Sequence, residues 1–153
     1  MTTTPRPNLF LPRWLSLLEE SQMIVTDGTA KTITVTEKNF DTVVNKGIVF
    51  VDWWAPWCGP CRSFAPIYEQ AAAAHPDVTF AKVNTEEAQR LAGGFGIQAI
   101  PTLMVFKEGV LVFSQPGMVP SAAIEQLVVQ ARKLDMNTVR AEMAEEQASI
   151  KKC

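Results

Sequence analysis

Two cysteines separated by two residues, Cys58 and Cys61, stand where a short apolar run gives way to an amphipathic one. That junction restricts the fold more than any other stretch of the chain. Such a pair can close a small redox-active ring, supply half of a tetrahedral metal site, or be two unrelated thiols, and the flanks separate these readings. Upstream, Ile48-Val49-Phe50-Val51 has the β-branched and aromatic character of a strand buried on both faces. Downstream, Phe64, Ile67, Tyr68 and Ala71 recur at helical spacing. Cys58 is therefore expected at a helix N-terminus and Cys61 one turn inside it. Residues three apart on a helix have Cβ atoms roughly 5–6 Å apart, so a small adjustment of the first turn brings the sulfurs into disulfide range. The unpaired N–H groups and partial positive charge of the helix start favour a thiolate at Cys58, which makes it the expected nucleophile. Cys61, on the same face, is the expected resolving sulfur, attacking the mixed disulfide that Cys58 forms.

Trp57-Cys58-Gly59-Pro60-Cys61, set between strand and helix, resembles the active-site motif of the thioredoxin family. Asp52, Pro66, Lys82, the Ile100-Pro101-Thr102 step and Gly117 sit where that family's pattern would place them, and the resemblance runs from about Lys31 to about Leu134. It implies an α/β thioredoxin fold, a central mixed sheet with helices on both faces. It also implies a general protein-disulfide reductase with no bound cofactor, whose redox group is the Cys58–Cys61 pair and which a flavin-dependent reductase restores with NADPH. By the same resemblance Pro101 is cis and faces the cysteines, keeping metal away and leaving the backbone of Ile100 free to pair with an extended substrate segment. Trp57, Gly59, Pro60, Ile100, Gly117 and Met118 then form an apolar rim for protein disulfides. Asp52 ends a buried strand, where desolvation raises a carboxyl's pKa. The resemblance gives it the role of accepting the proton of Cys61, with Lys82 nearby. Two positions depart from the usual pattern: Pro56 stands before Trp57 in place of a charged residue, and Arg62 replaces lysine.

With 153 residues, 47% of them apolar and 20% charged, the chain has material for one globular core. A net charge of −2 and a pI near 5.4 argue against nucleic acid, which calls for a concentrated basic face. No segment approaches the roughly 20 apolar residues of a membrane-spanning helix. Arg6 and Arg13 interleaved with Pro5, Pro7 and Pro12, then Glu19-Glu20, do not make a secretion signal. One close cysteine pair and Cys153 are no staple set, and two thiolates without further ligands hold no structural metal. A cytoplasmic monomer is expected.

Along the chain, residues 1–30 form an N-terminal extension in which Leu11, Trp14, Leu15 and Leu18 make a helical stripe. A membrane-surface role would want more basic residues on its polar face. Met23 is an alternative start. Within the domain, residues 31–134, a strand is expected at Thr32 to Thr36 and a short helix at Glu37 to Asn45. The cysteine-bearing helix follows the central strand, and Pro66 should kink it. Next come a strand at Val78 to Asn84 and a helix capped by Thr85 that dissolves at Gly93-Gly94. Strands at Thr102 to Lys107 and Val110 to Ser114 join through a tight turn at Glu108-Gly109, and a helix spans Ser121 to Leu134. Residues 135–153 read as a helical tail, with Cys153 outside any lipidation motif. Trp53 and Trp54, beside Asp52, are expected to point to the opposite face from it, and His75 to cap a helix end.

Two other functions compete. An oxidase or isomerase of the same fold would want a histidine between the cysteines, and Gly59-Pro60 speaks against that. A non-catalytic binding module would use the fold for docking alone, and substitution of both cysteines separates the classes.

Overall fold

In a computed structural model of the chain, which describes residues 32–151, ten elements alternate. They are β1 (Ile33–Thr34), α1 (Phe40–Val44), β2 (Ile48–Trp54), α2 (Gly59–Ala74), β3 (Thr79–Asn84), α3 (Gln89–Gly94), β4 (Thr102–Lys107), β5 (Val110–Pro116), α4 (Ser121–Lys133) and α5 (Met136–Lys151). The stripe from Leu11 to Leu18, Met23 and Cys153 lie outside the described residues.

The strands form one sheet in the order β1-β3-β2-β4-β5. β1, β3 and β2 run parallel, and β4 and β5 are antiparallel additions. Strand alternation sends β2 side chains to two separate cores. Phe50 packs with Phe64 and Tyr68 of α2 and with Ile124 and Val128 of α4. Val49, Val51 and Trp53 pack on the opposite face with Phe40 of α1 and Ala92 of α3. Because β2 is covered on both sides, it carries the continuous apolar run expected of it.

Local signals and outcome differ at β1 and at the start of α3, and agree at the tail. β1 keeps only two residues of the expected Thr32 to Thr36 strand: Val35 donates its N–H to the Lys82 carbonyl (2.9 Å), and Thr36 then turns, donating to Asn39 Oδ1 (2.8 Å). Thr85 is not the cap of α3. Its N–H and hydroxyl both donate to the Trp54 carbonyl (2.8 and 3.1 Å), while Glu37, remote in sequence, accepts from the N–H groups of Arg90 and Leu91 (3.0 and 3.4 Å) at the start of α3. The tail is a distinct helix, α5, begun by Asp135, whose carboxylate accepts from the Asn137 amide (3.1 Å) and the Thr138 hydroxyl (2.8 Å). The turn at Glu108-Gly109 is as expected, with both residues at positive φ (52° and 83°), the geometry of a two-residue hairpin turn that matches strand twist.

Two polar clasps tie the helices to this frame. His75, the C-cap residue of α2, places Nε2 2.6 Å from a Glu125 carboxylate oxygen of α4, and Arg132 of the same helix pairs with Asp77 (2.7 Å). At the C-terminal end of α4, Lys107 Nζ donates to the carbonyls of Ala131 (2.6 Å), which also accepts from the Leu134 N–H (3.4 Å), and of Leu134 (2.8 Å). An ammonium there also opposes the negative end of the helix dipole. Lys107→Met keeps the aliphatic stem and removes these donors. It is expected to lower the unfolding free energy by about 2 kcal/mol in urea denaturation, the usual scale for bonds to a charged group.

Candidate active site

The site is built at the carboxyl end of β2. The chain leaving Trp54 is fixed by the two hydrogen bonds from Thr85 described above, and the Cys58 N–H donates back to the Ala55 carbonyl (3.2 Å). Cys58 takes extended backbone (φ −82°, ψ 115°) as the N-cap of α2, with Pro60 in the first turn, where a missing N–H costs nothing. Cys61 lies one turn inside. The two are joined as a disulfide with Cα atoms 5.3 Å apart.

Exposure does not tell the two sulfurs apart: Cys58 retains 4% of its surface and Cys61 3%. Position does. The Cys61 amide donates to Cys58 Sγ (3.2 Å), so one of the otherwise unpaired N–H groups of the helix start is aimed at that sulfur. Cys58 Sγ also lies 3.8 Å from the Ile100 carbonyl oxygen. The Ile100–Pro101 peptide is cis, and the Gly117 N–H donates to the Pro101 carbonyl (2.7 Å), bringing Gly117 and Met118 alongside. Trp57 (65% exposed) and Met118 (45%) are the large apolar side chains left open here. A Cβ at Gly59 or at Gly117 would meet nothing within 4 Å, so both glycines border open space, and only Gly117, at φ +88°, needs glycine for its backbone.

Asp52 is fully buried, and neither carboxylate oxygen has a hydrogen-bond partner among the described residues. It shares a sheet face with Phe50 and Trp54, between the core under α2 and the cluster of Ala55, Cys58 and Cys61. Trp54 therefore lies on the same face as Asp52, correcting the expectation that both tryptophans point away from it. Only Trp53 does. Lys82 pairs in register with Asp52 on β3, and its ammonium sits 4.9 Å from the Trp54 ring centroid. Burial pushes the Asp52 carboxyl up from 3.8 to about 7, against the opposing pull of the Lys82 charge. The same carboxylate adds to the burial that holds the Tyr68 phenol well above its usual range.

One residue of the site went unseen in the sequence. Glu86, in the loop after β3, accepts a hydrogen bond from the Trp57 indole N–H and so fixes the most exposed ring of the rim. Nothing local links positions 57 and 86; the strand order brings them together.

The profile of the Thioredoxin family matches residues 31–130. The chain belongs to the thioredoxin family. It is 53% identical over 118 residues to a protein called putative thioredoxin 2 of Streptomyces coelicolor, covering 76% of this chain and 88% of that one. A thioredoxin of Bacillus subtilis is 37% identical over 97 residues, covering 63% and 93%. Among solved structures, Plasmodium falciparum thioredoxin superposes with a TM-score of 0.60 at 32% identity, over 65% of this chain and 98% of that one. Thioredoxin of Malassezia sympodialis gives 0.58 at 34% identity, over 63% and 90%. With the closed Cys58–Cys61 pair, membership makes this chain a thiol–disulfide oxidoreductase whose redox group is its own disulfide. No group of three or more metal-ligating side chains occurs among the described residues.

The raised Asp52 carboxyl has a stability consequence. The folded chain holds this proton more tightly than the unfolded chain, so stability is full below the unfolded value of 3.8 and is lost as pH rises toward 7. Above that pH the buried charge costs roughly 4 kcal/mol. Asp52→Asn is expected to raise the unfolding free energy by up to about 4 kcal/mol near pH 8 and by little near pH 3.5, as read by urea denaturation at the two pH values.

Proposed function

We propose that this thioredoxin-family chain works as a general protein-disulfide reductase, with Cys58 attacking, Cys61 resolving and Asp52 accepting the proton of Cys61. The observation that carries the assignment is the Cys61 N–H aimed at Cys58 Sγ at the positive end of α2. That contact favours negative charge on the Cys58 sulfur in the reduced state. The Cys58 thiolate attacks one sulfur of a substrate disulfide. The substrate S–S bond breaks, a Cys58–substrate bond forms, and one substrate thiolate departs. Cys61 then gives its proton to Asp52, directly or through a water, and its thiolate attacks Cys58 Sγ. The Cys58–Cys61 disulfide closes, and the second substrate thiolate leaves and takes up a proton. Two electrons pass from the chain to the substrate.

A carboxyl titrating near neutrality suits this relay, because it is unprotonated often enough to accept and protonated often enough to give the proton back. The charge of Lys82, in register with it, opposes the rise of its pKa. The rim of Trp57, Gly59, Pro60, Ile100, Pro101, Gly117 and Met118 receives the substrate, with the Ile100 backbone available for strand-like pairing. A flavin-dependent reductase using NADPH, of the thioredoxin reductase kind, reopens the disulfide. The chain acts as a cytoplasmic monomer whose residues 31–134 are the redox unit, with residues 1–30 and 135–153 as appendages to it. Gly59-Pro60 between the cysteines argues for reduction over oxidase or isomerase chemistry, since neither side chain can donate a bond to the Cys58 thiolate.

NADPH oxidation in a mixture of the protein, a disulfide reductase and a protein disulfide substrate tests the reading. Wild type should turn over, and Cys58→Ser should not; undiminished turnover by that variant overturns the assignment. Cys61→Ser should stall as a mixed disulfide with its substrate, visible as a covalent adduct by mass spectrometry under non-reducing conditions. Asp52→Asn should leave formation of that adduct intact and slow its resolution by about 10²-fold, the lower scale of a lost proton-transfer group.

A further inference from the structure

An apolar groove begins at the rim and runs away from it between β5 and α4. Two depressions, of about 280 and 150 Å³, adjoin along it and share Phe113, Leu127 and Gln130. The larger opens at Met118 and is walled by Ala123 and Leu127; the smaller continues over Val112 to Leu134. Its floor depends on an irregularity in the hairpin. Val105 pairs with Phe113 and Phe106 with Leu111, so Val112 is an extra residue on β5. Such a bulge brings two successive side chains toward one face, and here both Val112 and Phe113 pack against the core under α4.

Three features say what the groove accepts. No charged residue lines either depression, and the polar groups at its border are the amides of Gln115, Gln126 and Gln130. Those amides can both donate to and accept from a peptide backbone. β5 is the last strand of the sheet order, so one of its backbone edges is unpaired within the sheet. The groove is also continuous with the redox centre: Cys58 Sγ contacts Ile100, Pro101 accepts from Gly117, and Met118 is the next residue.

We infer that the groove between β5 and α4 is a second docking site for the disulfide substrate, taking an extended, uncharged segment with apolar side chains that flanks the substrate cysteine. The inference rests on the reductase reading and deepens it. Attack at Cys58 needs only the rim, and the groove selects among protein disulfides by what lies beside them. A small disulfide with no flanking chain gains nothing from it.

The test uses the full chain, kept reduced by NADPH and a disulfide reductase, and three synthetic peptides, each with one internal disulfide, flanked on both sides by leucines, glycines or lysines, with dithiobis(nitrobenzoate) as the small disulfide. Wild type should reduce the leucine peptide with a kcat/KM about tenfold above the glycine peptide, the scale of partly burying one or two apolar side chains, and the lysine peptide no better than the glycine one. Ala123→Glu places a charge in the groove at the first turn of α4, where an acidic residue suits the helix. It should remove the leucine preference through KM while leaving kcat and the rate with the small disulfide unchanged, and Ala123→Ser should restore the preference. Leu127→Gln should act in the same direction; if it fails to fold, Ala123→Glu decides. No leucine preference in wild type, or an unchanged preference in Ala123→Glu, overturns the inference. So does a gain in activity on substitution, which would mark residues 1–31 of the chain as the occupant, or a dimer in sedimentation that the substitution dissociates. Failure of wild type to reduce any of the disulfides counts against the reductase reading itself, whereas reduction of all three peptides at equal efficiency counts only against the groove.

Discussion

The structure depends on how the first turn of α2 is seated at the end of β2. A helix start carries N–H groups that have no intrahelical acceptor. Here one of them meets a sulfur, and the chain entering that turn is held by the two hydrogen bonds from Thr85 to the Trp54 carbonyl. Because β2 is covered on both faces, its end does not drift, and the position of Cys58 relative to Ile100 and Gly117 is set by the sheet. A reactive sulfur at a loop tip would lack that constraint.

Asp52 is the counterweight. A carboxyl buried without hydrogen-bond partners in the central strand works against folding at neutral pH. It stands on the sheet face that carries α2, between Phe50 and the cysteine cluster, and its pKa is displaced to about 7 by burial. The cost to stability and the fitness for moving a proton near neutrality have one origin, the exclusion of water from that layer. Lys82, across the parallel pair and over the Trp54 ring, limits the displacement without cancelling it.

Around this centre the chain places surfaces of different kinds. The rim at Trp57 and Met118 is apolar and exposed, with Trp57 steadied by Glu86. The groove past Met118 is apolar, uncharged and shaped by the extra residue in β5. α5, outside the region matched by the family, is joined to the domain through Met136, the Asp135 turn and the carbonyls that Lys107 holds. From residue 141 onward its described side chains are exposed.

Much of this was legible in the residues themselves. The apolar run of β2, the cysteine spacing, the periodicity of α2 and the turn at Glu108-Gly109 are short-range patterns, and short-range physics fixes a strand, a helix start, its N-terminal sulfur and a hairpin. What the residues alone left undecided depends on partners remote in the chain. Glu37 takes over the start of α3 that Thr85 was expected to cap, Glu86 reaches Trp57, and Lys107 closes α4. Trp54 is set on the face of Asp52 beside the cysteines. The burial of Asp52, and with it the displaced carboxyl, is likewise a property of the layer that α2 lays over β2. Periodicity specifies which side of an element is apolar. Only the packed sheet specifies which distant group meets it there, because that choice follows from strand order and register.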